Sequence, residues 1–205
     1  MPKEIVGVIL AGGRSRRMGT DKAFLEIGGI PLIERGLNVL QPFFQTVAIV
    51  AKDLEKFCHL KGVRLIPDLF PEQHAAGGIS TALKTFSGKD CFVFACDLPF
   101  LHAPLIQVMM QQRNGYDLVI PRSRHGLEPL HAIYTTKCLN IVQEQILQKR
   151  WHLAELLQKV CYGILTPDIL HTFDPGELCF MNVNAPAELR KAQEVERVHV
   201  SRRVS

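Results

Sequence analysis

Ile5-Val6-Gly7-Val8-Ile9-Leu10, followed at once by Ala11-Gly12-Gly13-Arg14-Ser15-Arg16-Arg17-Met18-Gly19-Thr20-Asp21-Lys22, decides the fold. The first six residues are apolar and mostly β-branched. Such a run predicts a strand buried on both faces, as in parallel sheets. The next twelve are polar and glycine-rich, so the chain leaves the sheet there as a loop. Glycines let backbone N–H groups approach phosphate oxygens, and cations neutralise them. Arg14, Arg16, Arg17 and Lys22 all fall within nine residues of this loop. Ligands of open α/β sheets bind beyond the carboxyl ends of the strands, so the stretch reads as a phosphate-binding loop. Two familiar phosphate loops are excluded by spacing. Gly13 and Gly19 have five residues between them and Thr20 follows, which is not G-x-x-x-x-G-K-[ST]. No two glycines are separated by a single residue, which excludes G-x-G-x-x-G.

Further strand and helix signals alternate along the chain. Residues 46–51, 63–66 and 91–96 are apolar strand candidates, and 117–120, 129–134 and 162–166 continue the series. Helical stretches are expected at 32–39, 54–60, 79–86, 104–112, 136–148, 152–159 and 186–195, with Gly77-Gly78 opening the third. This alternation predicts an α/β fold: a three-layer, Rossmann-like, mostly parallel sheet with helices on both faces. One domain over 1–196 is expected, with 197–205 a frayed tail. Asp68 and Asp97 each follow a predicted strand, so both fall at the same sheet edge as the loop.

Composition narrows the class. The chain has 205 residues, 24 Lys+Arg, 20 Asp+Glu, a net charge of +4 and 47% apolar residues, which fits a globular protein. The charge is too small to argue for nucleic acid. The stretch 36–51, free of acidic residues, Lys and Arg, still holds Asn38, Gln41, Pro42, Gln45 and Thr46, so no membrane span is expected. The first residues lack a secretory signal pattern. Six cysteines without C-x-x-C or zinc spacing point to free thiols and a cytoplasmic location. Eight scattered histidines contain no H-E-x-x-H, and His131 reads as structural.

Leu10 through Leu32, LAGGRSRRMGTDKAFLEIGGIPL, resembles the signature L-A-G-G-x-S-x-R-M-G-x-D-K-x-x-L-x-x-x-G-x-P-L of the MobA family of molybdenum cofactor guanylyltransferases. Cys96-Asp97-Leu98-Pro99-Phe100 is similar to that family's metal motif, and Asn182-Val183-Asn184-Ala185-Pro186-Ala187-Glu188-Leu189 to its N-V-N-T-P-E-E-L segment. The resemblance implies the nucleotide-diphospho-sugar transferase type of fold. About 1–100 would be the nucleotide-binding part and about 101–196 the acceptor-substrate part. It implies transfer of GMP from GTP to the phosphate of Mo-molybdopterin, with Mg²⁺, releasing pyrophosphate. Arg17 and Lys22 would hold the triphosphate, and Asp97 the metal. Leu10, Ala11, Gly12, Gly13, Lys22, Asp68, Gly78 and Asp97 would contact the nucleotide, and Asn182 and Asn184 the acceptor. Molybdoenzymes or their chaperones would receive the product; neither nucleic acid nor a membrane is an expected partner.

Two positions depart from the family pattern. Val50 stands where many members carry Asn, and His74-Ala75-Ala76-Gly77-Gly78 replaces G-P-L-[AG]-G. Both fall on the base and ribose side. Cytidylyl or other nucleotidyl transfer, or nucleotide binding without catalysis, are the competing readings.

Overall fold

The apolar run forms strand β1 (Ile5–Leu10), all six residues of which are buried. The computed structural model describes residues 4–12, 21–70, 75–149 and 153–204. A 3₁₀ turn at Lys22–Phe24 leads into a small hairpin, β2 (Glu26–Ile27) and β3 (Ile30–Pro31). Gly28 and Gly29 have φ of 61° and 77°, as a two-residue type I′ turn requires. Helix α1 (Leu32–Leu40), strand β4 (Val47–Ala51), strand β5 (Arg64–Pro67), helix α2 (Ala75–Thr85), strand β6 (Asp90–Ala95) and helix α3 (Ala103–Gln112) follow. Then come β7 (Leu118–Ser123), β8 (Gly126–Leu127), β9 (His131–Tyr134), α4 (Cys138–Leu147), α5 (Leu153–Lys159), β10 (Tyr162–Leu165), α6 (Pro167–Phe173) and α7 (Pro186–Val204).

The main sheet runs β10-β7-β9-β6-β1-β4-β5, with β8 paired to β7. β1 is parallel to β4 and β6, β4 to β5, and β7 to β10. β9 is antiparallel to both neighbours. The seven residues between β7 and β9 are too few for a crossover helix, so the chain must return antiparallel. The mostly parallel, two-faced architecture expected from sequence is therefore present.

Alternation along each strand divides the core. Ile5 and Ile9 face the layer formed by α1, α3 and α6, with Phe92, Phe94 and Ile49 beside them. Val6, Val8 and Leu10 face α2, α4 and α5. Gly36 is where α1 comes closest to the sheet. A Cβ there would lie 2.9 Å from Cε1 of the fully buried Phe94 and 3.4 Å from Ile9. Alanine gains about 1 kcal/mol of helix propensity over glycine. Overpacking against a buried ring costs about 1–3 kcal/mol. Gly36→Ala is therefore expected to destabilise the protein, read as a lower urea midpoint; an unchanged or higher midpoint would contradict the packing argument.

Several boundaries differ from the sequence reading. Residues 54–60 hold only a 3₁₀ turn, Glu55–Phe57. Helix α2 includes Gly77 and Gly78 rather than starting after them. The hairpin β2–β3 and α6 are additional elements, too short to carry a periodicity. Helix α7 runs to Val204, well beyond residue 195, where the sequence reading ended the last helix. Its few inward apolar residues, Leu189 and Ala192, pack with Ile27, Leu32 and Val183. No described helix is long and apolar enough to cross a membrane.

Candidate active site

A cleft opens at the carboxyl ends of β1, β4, β5 and β6. Its floor is built by extending the sheet one residue past β1. The Ala11 N–H donates to the Val50 carbonyl (3.0 Å), and the Cys96 N–H to the Leu10 carbonyl (3.2 Å). Leu10, Ala11 and Gly12 thus line the cleft with a backbone already fixed in place.

Lys22 enters from the side. The Asp21 carboxylate accepts the Ala23 N–H (3.1 Å) and caps the 3₁₀ turn that carries Lys22. Lys56 forms an ion pair with the same carboxylate. The Lys22 ammonium lies 3.3 Å from Asp97 Oδ2 and donates to Asn184 Oδ1. These three residues, far apart in sequence, converge beyond β6. The side chains of Lys22 and Asp97 are 18% and 20% exposed, so the pair is shielded yet reachable.

Asn184 is held by its own helix. The Glu188 carboxylate accepts the N–H groups of Asn184 and Ala185 and so caps the start of α7. The Val183 N–H donates to the Asp97 carbonyl (2.9 Å), which ties this segment to the loop after β6. Asp68, at the end of β5, also lines the cleft. Its Oδ1 accepts the Phe70 N–H and the Thr81 hydroxyl, each at 3.1 Å. Gly78 permits the closest approach of α2, since a Cβ there would sit 2.9 Å from Leu10 Cδ2.

The structure therefore gathers Leu10, Ala11, Gly12, Lys22, Asp68, Gly78 and Asp97 into one cleft and adds Asn184 at its rim through Lys22. It does not bring Asn182 there. Asn182 is exposed and is not among the cleft-lining residues. Gly13 and Arg17 lie outside the described residues. Val50 lines the cleft with an apolar side chain. Sequence reasoning missed Thr81, which orients Asp68; Leu130, in the segment 128–132 that resembles a substrate-facing strand of the family, also lines the cleft. Leu130 is fixed by the bond from the Ala95 N–H to its carbonyl (3.2 Å), and Pro129 by the bond from the buried Tyr134 hydroxyl (2.7 Å). No sequence signal marks Thr81.

Two further chemistry-bearing side chains, Cys96 and His131, are buried. Cys96 lines the cleft, but burial, with Asp97 next to it, pushes its thiol far up from the usual range. His131 is fully buried, edge-on to Phe92 (5.3 Å) and Phe180 (5.2 Å), and burial holds it neutral with a pKa of about 3. Among the described residues no group of three or more His, Cys, Asp or Glu forms a metal site. Asp97 and Asn184 do offer two hard oxygen donors that already converge on one cation, the Lys22 ammonium. That set fits Mg²⁺, which takes one or two protein oxygens and completes its shell with phosphate and water.

Residues 7–160 match the family model described as MobA-like NTP transferase domain. The chain is 36% identical over 190 residues to the "Probable molybdenum cofactor guanylyltransferase" of Pelotomaculum thermopropionicum, covering 93% of this chain and 92% of that one. It is 31% identical over 191 residues to the "Molybdenum cofactor guanylyltransferase" of Desulfosudis oleivorans, covering 92% and 94%. In structure it is similar to molybdopterin-guanine dinucleotide biosynthesis protein A from Archaeoglobus fulgidus, with a TM-score of 0.81, 28% identity, and 93% and 97% of the two chains covered. With most of its length matched and its cleft at the sheet edge where the sequence motifs fall, the chain belongs to the MobA-like NTP transferase family.

Proposed function

We propose that this protein transfers GMP from GTP to the phosphate of Mo-molybdopterin, forming the guanine dinucleotide cofactor and releasing pyrophosphate. The observation that carries this reading is the convergence of Lys22, Asp97 and Asn184 beside the Leu10–Gly12 backbone. A phosphate oxygen of the acceptor attacks the α-phosphorus, and the bond to pyrophosphate breaks in line. Such transfers need positioning and charge neutralisation more than a protein nucleophile. The acceptor phosphate is already anionic, so no general base is required, in keeping with a buried, neutral His131.

Asp97, with Asn184 beside it, would hold Mg²⁺, which supplies Lewis-acid neutralisation of the phosphates when bound. Lys22 exchanges its carboxylate partner for a phosphate partner and neutralises charge on the departing pyrophosphate. Arg17 is assigned to the triphosphate from sequence alone. Asp68, fixed by Thr81, faces the nucleotide half of the cleft. The Ala11 carbonyl and the Gly12 backbone are the groups assigned to the base edge, because the Ala11 N–H and Leu10 carbonyl are engaged in the sheet. Asn184 bridges to the acceptor side, and Asn182 meets the acceptor from the exposed face of the same segment. Six free cysteines support a cytoplasmic location. Molybdoenzymes or their chaperones take up the product.

Pyrophosphate release from molybdopterin, Mg²⁺ and each NTP in turn tests the reading, and GTP-selective turnover is expected. Val50 lines the cleft without the side-chain hydrogen bond that the family resemblance implies, so the test includes the rival, cytidylyl transfer. CTP-selective turnover would establish the rival. Absence of turnover with every NTP would leave a binding module.

A further inference from the structure

Arg35 projects from the first turn of α1 and is 15% exposed. Its Nε donates to the Pro99 carbonyl (3.2 Å) and its Nη1 to the Ile27 carbonyl (3.0 Å). Nη1 and Nη2 together take both oxygens of Glu196, at 3.2 and 2.9 Å. The guanidinium carbon lies 5.7 Å from the Phe100 ring centroid. None of these partners is in the cleft, yet each sits on a segment that supplies a cleft residue. Ile27 lies five residues beyond Lys22, and Pro99 two beyond Asp97. Glu196 is on α7, about 15 Å along a rigid helix from Pro186, next to Asn184. The hairpin closes on the same point: a Cβ on Gly28 would lie 3.3 Å from Glu196 Cγ, and Gln193 Nε2 donates to the Glu26 carbonyl (3.2 Å).

We propose that Arg35 is a positioning residue that sets the spacing of Lys22, Asp97 and Asn184 by gripping all three segments with one guanidinium. The inference rests on the nucleotidyl-transfer reading above. The planar fork is what makes this possible; an ammonium is a point donor on a flexible stem and cannot hold three diverging partners in fixed directions. Displacing a phosphate-binding charge by a fraction of an ångström costs rate steeply, because proximity carries much of the catalysis. The nucleotide floor, Leu10–Gly12 with Asp68 and Gly78, is not touched by Arg35. Its loss therefore acts mainly on kcat, and on nucleotide KM only through Lys22.

Arg35→Lys is expected to lower kcat roughly 10-fold or more, with nucleotide KM within about threefold of wild type. Glu196→Gln, which keeps the shape and one acceptor, is expected to lose less. Hydrogen exchange supplies a readout independent of turnover. The Val183 amide, bonded to the Asp97 carbonyl, should exchange faster in Arg35→Lys, while amides of β1 and β6 stay as protected as in wild type. An unchanged kcat overturns the proposal. So does a loss accompanied by faster exchange throughout β1 and β6, since that marks global destabilisation. If wild type itself fails to turn over, the functional reading falls, and Val183 exchange alone decides whether Arg35 positions the loop after β6.

Discussion

Lys22→Ala and Asp97→Ala are each expected to lower turnover roughly 10²-fold or more, as for loss of one preorganised charge contact in an active site. The two changes remove different ends of one contact, 3.3 Å long, at the point where the nucleotide floor meets the start of α7. Lys22→Ala removes the cation proposed to face the triphosphate. Asp97→Ala removes the carboxylate that fits the metal. Neither residue belongs to the hydrophobic core. A single partly exposed ion pair contributes little to stability, about 1 kcal/mol or less. Thermal unfolding should therefore shift by only a few degrees while kcat collapses. The backbone around both sites is held independently, by the Asp21 cap on one side and the Val183 bond on the other. A variant with near-wild-type turnover would remove its residue from the catalytic machinery. A variant that unfolds would show the ion pair to be structural.

The second large effect concerns acid stability and His131. Burial among Phe92, Phe94 and Phe180 is the main cause of its depressed pKa, with His102 adding to it and Asp174 opposing it. In the unfolded chain this histidine takes up a proton below about pH 6.5. In the folded protein it stays neutral until about pH 3. Between those values the unfolded state binds more protons, so stability rises with pH and falls as the solution is acidified. The slope from this one group approaches about 1.4 kcal/mol per pH unit. Urea unfolding of wild type and His131→Leu between pH 4 and pH 7 isolates it. The wild-type curve should be the steeper by about that amount, whatever the offset between the two proteins. Parallel profiles would mean that the histidine titrates alike in both states.

The nucleotide half of the site was legible because it is local. Ile5–Leu10 had to be a doubly buried strand, and the polar residues after it had to lie at the sheet edge. Asp68 and Asp97 were placed by the same rule, each directly after an apolar run. Other features were not legible. Thr81 looked like any helix threonine until the fold brought it to Asp68. Arg35 carries no local signal, because the acidic residue near it in sequence is Glu34, while its partner Glu196 is 161 residues away. The extent of α7 was hidden because the helix is polar nearly all round and weakly periodic; it is anchored by a few contacts to the hairpin and to Arg35.

By itself the sequence determined the architecture and the family chemistry. Buried parallel strands demand continuous apolar runs, and phosphate-binding loops demand glycines and cations at fixed short spacings, so both are written locally. Only the tertiary structure decided which residues act together. Lys22 meets Asp97 and Asn184 across 75 and 162 residues, while Asn182, two positions from Asn184, is exposed and outside the cleft lining. The reason is physical. Contacts between distant segments are set by how helices and sheet pack, which short-range spacing does not encode.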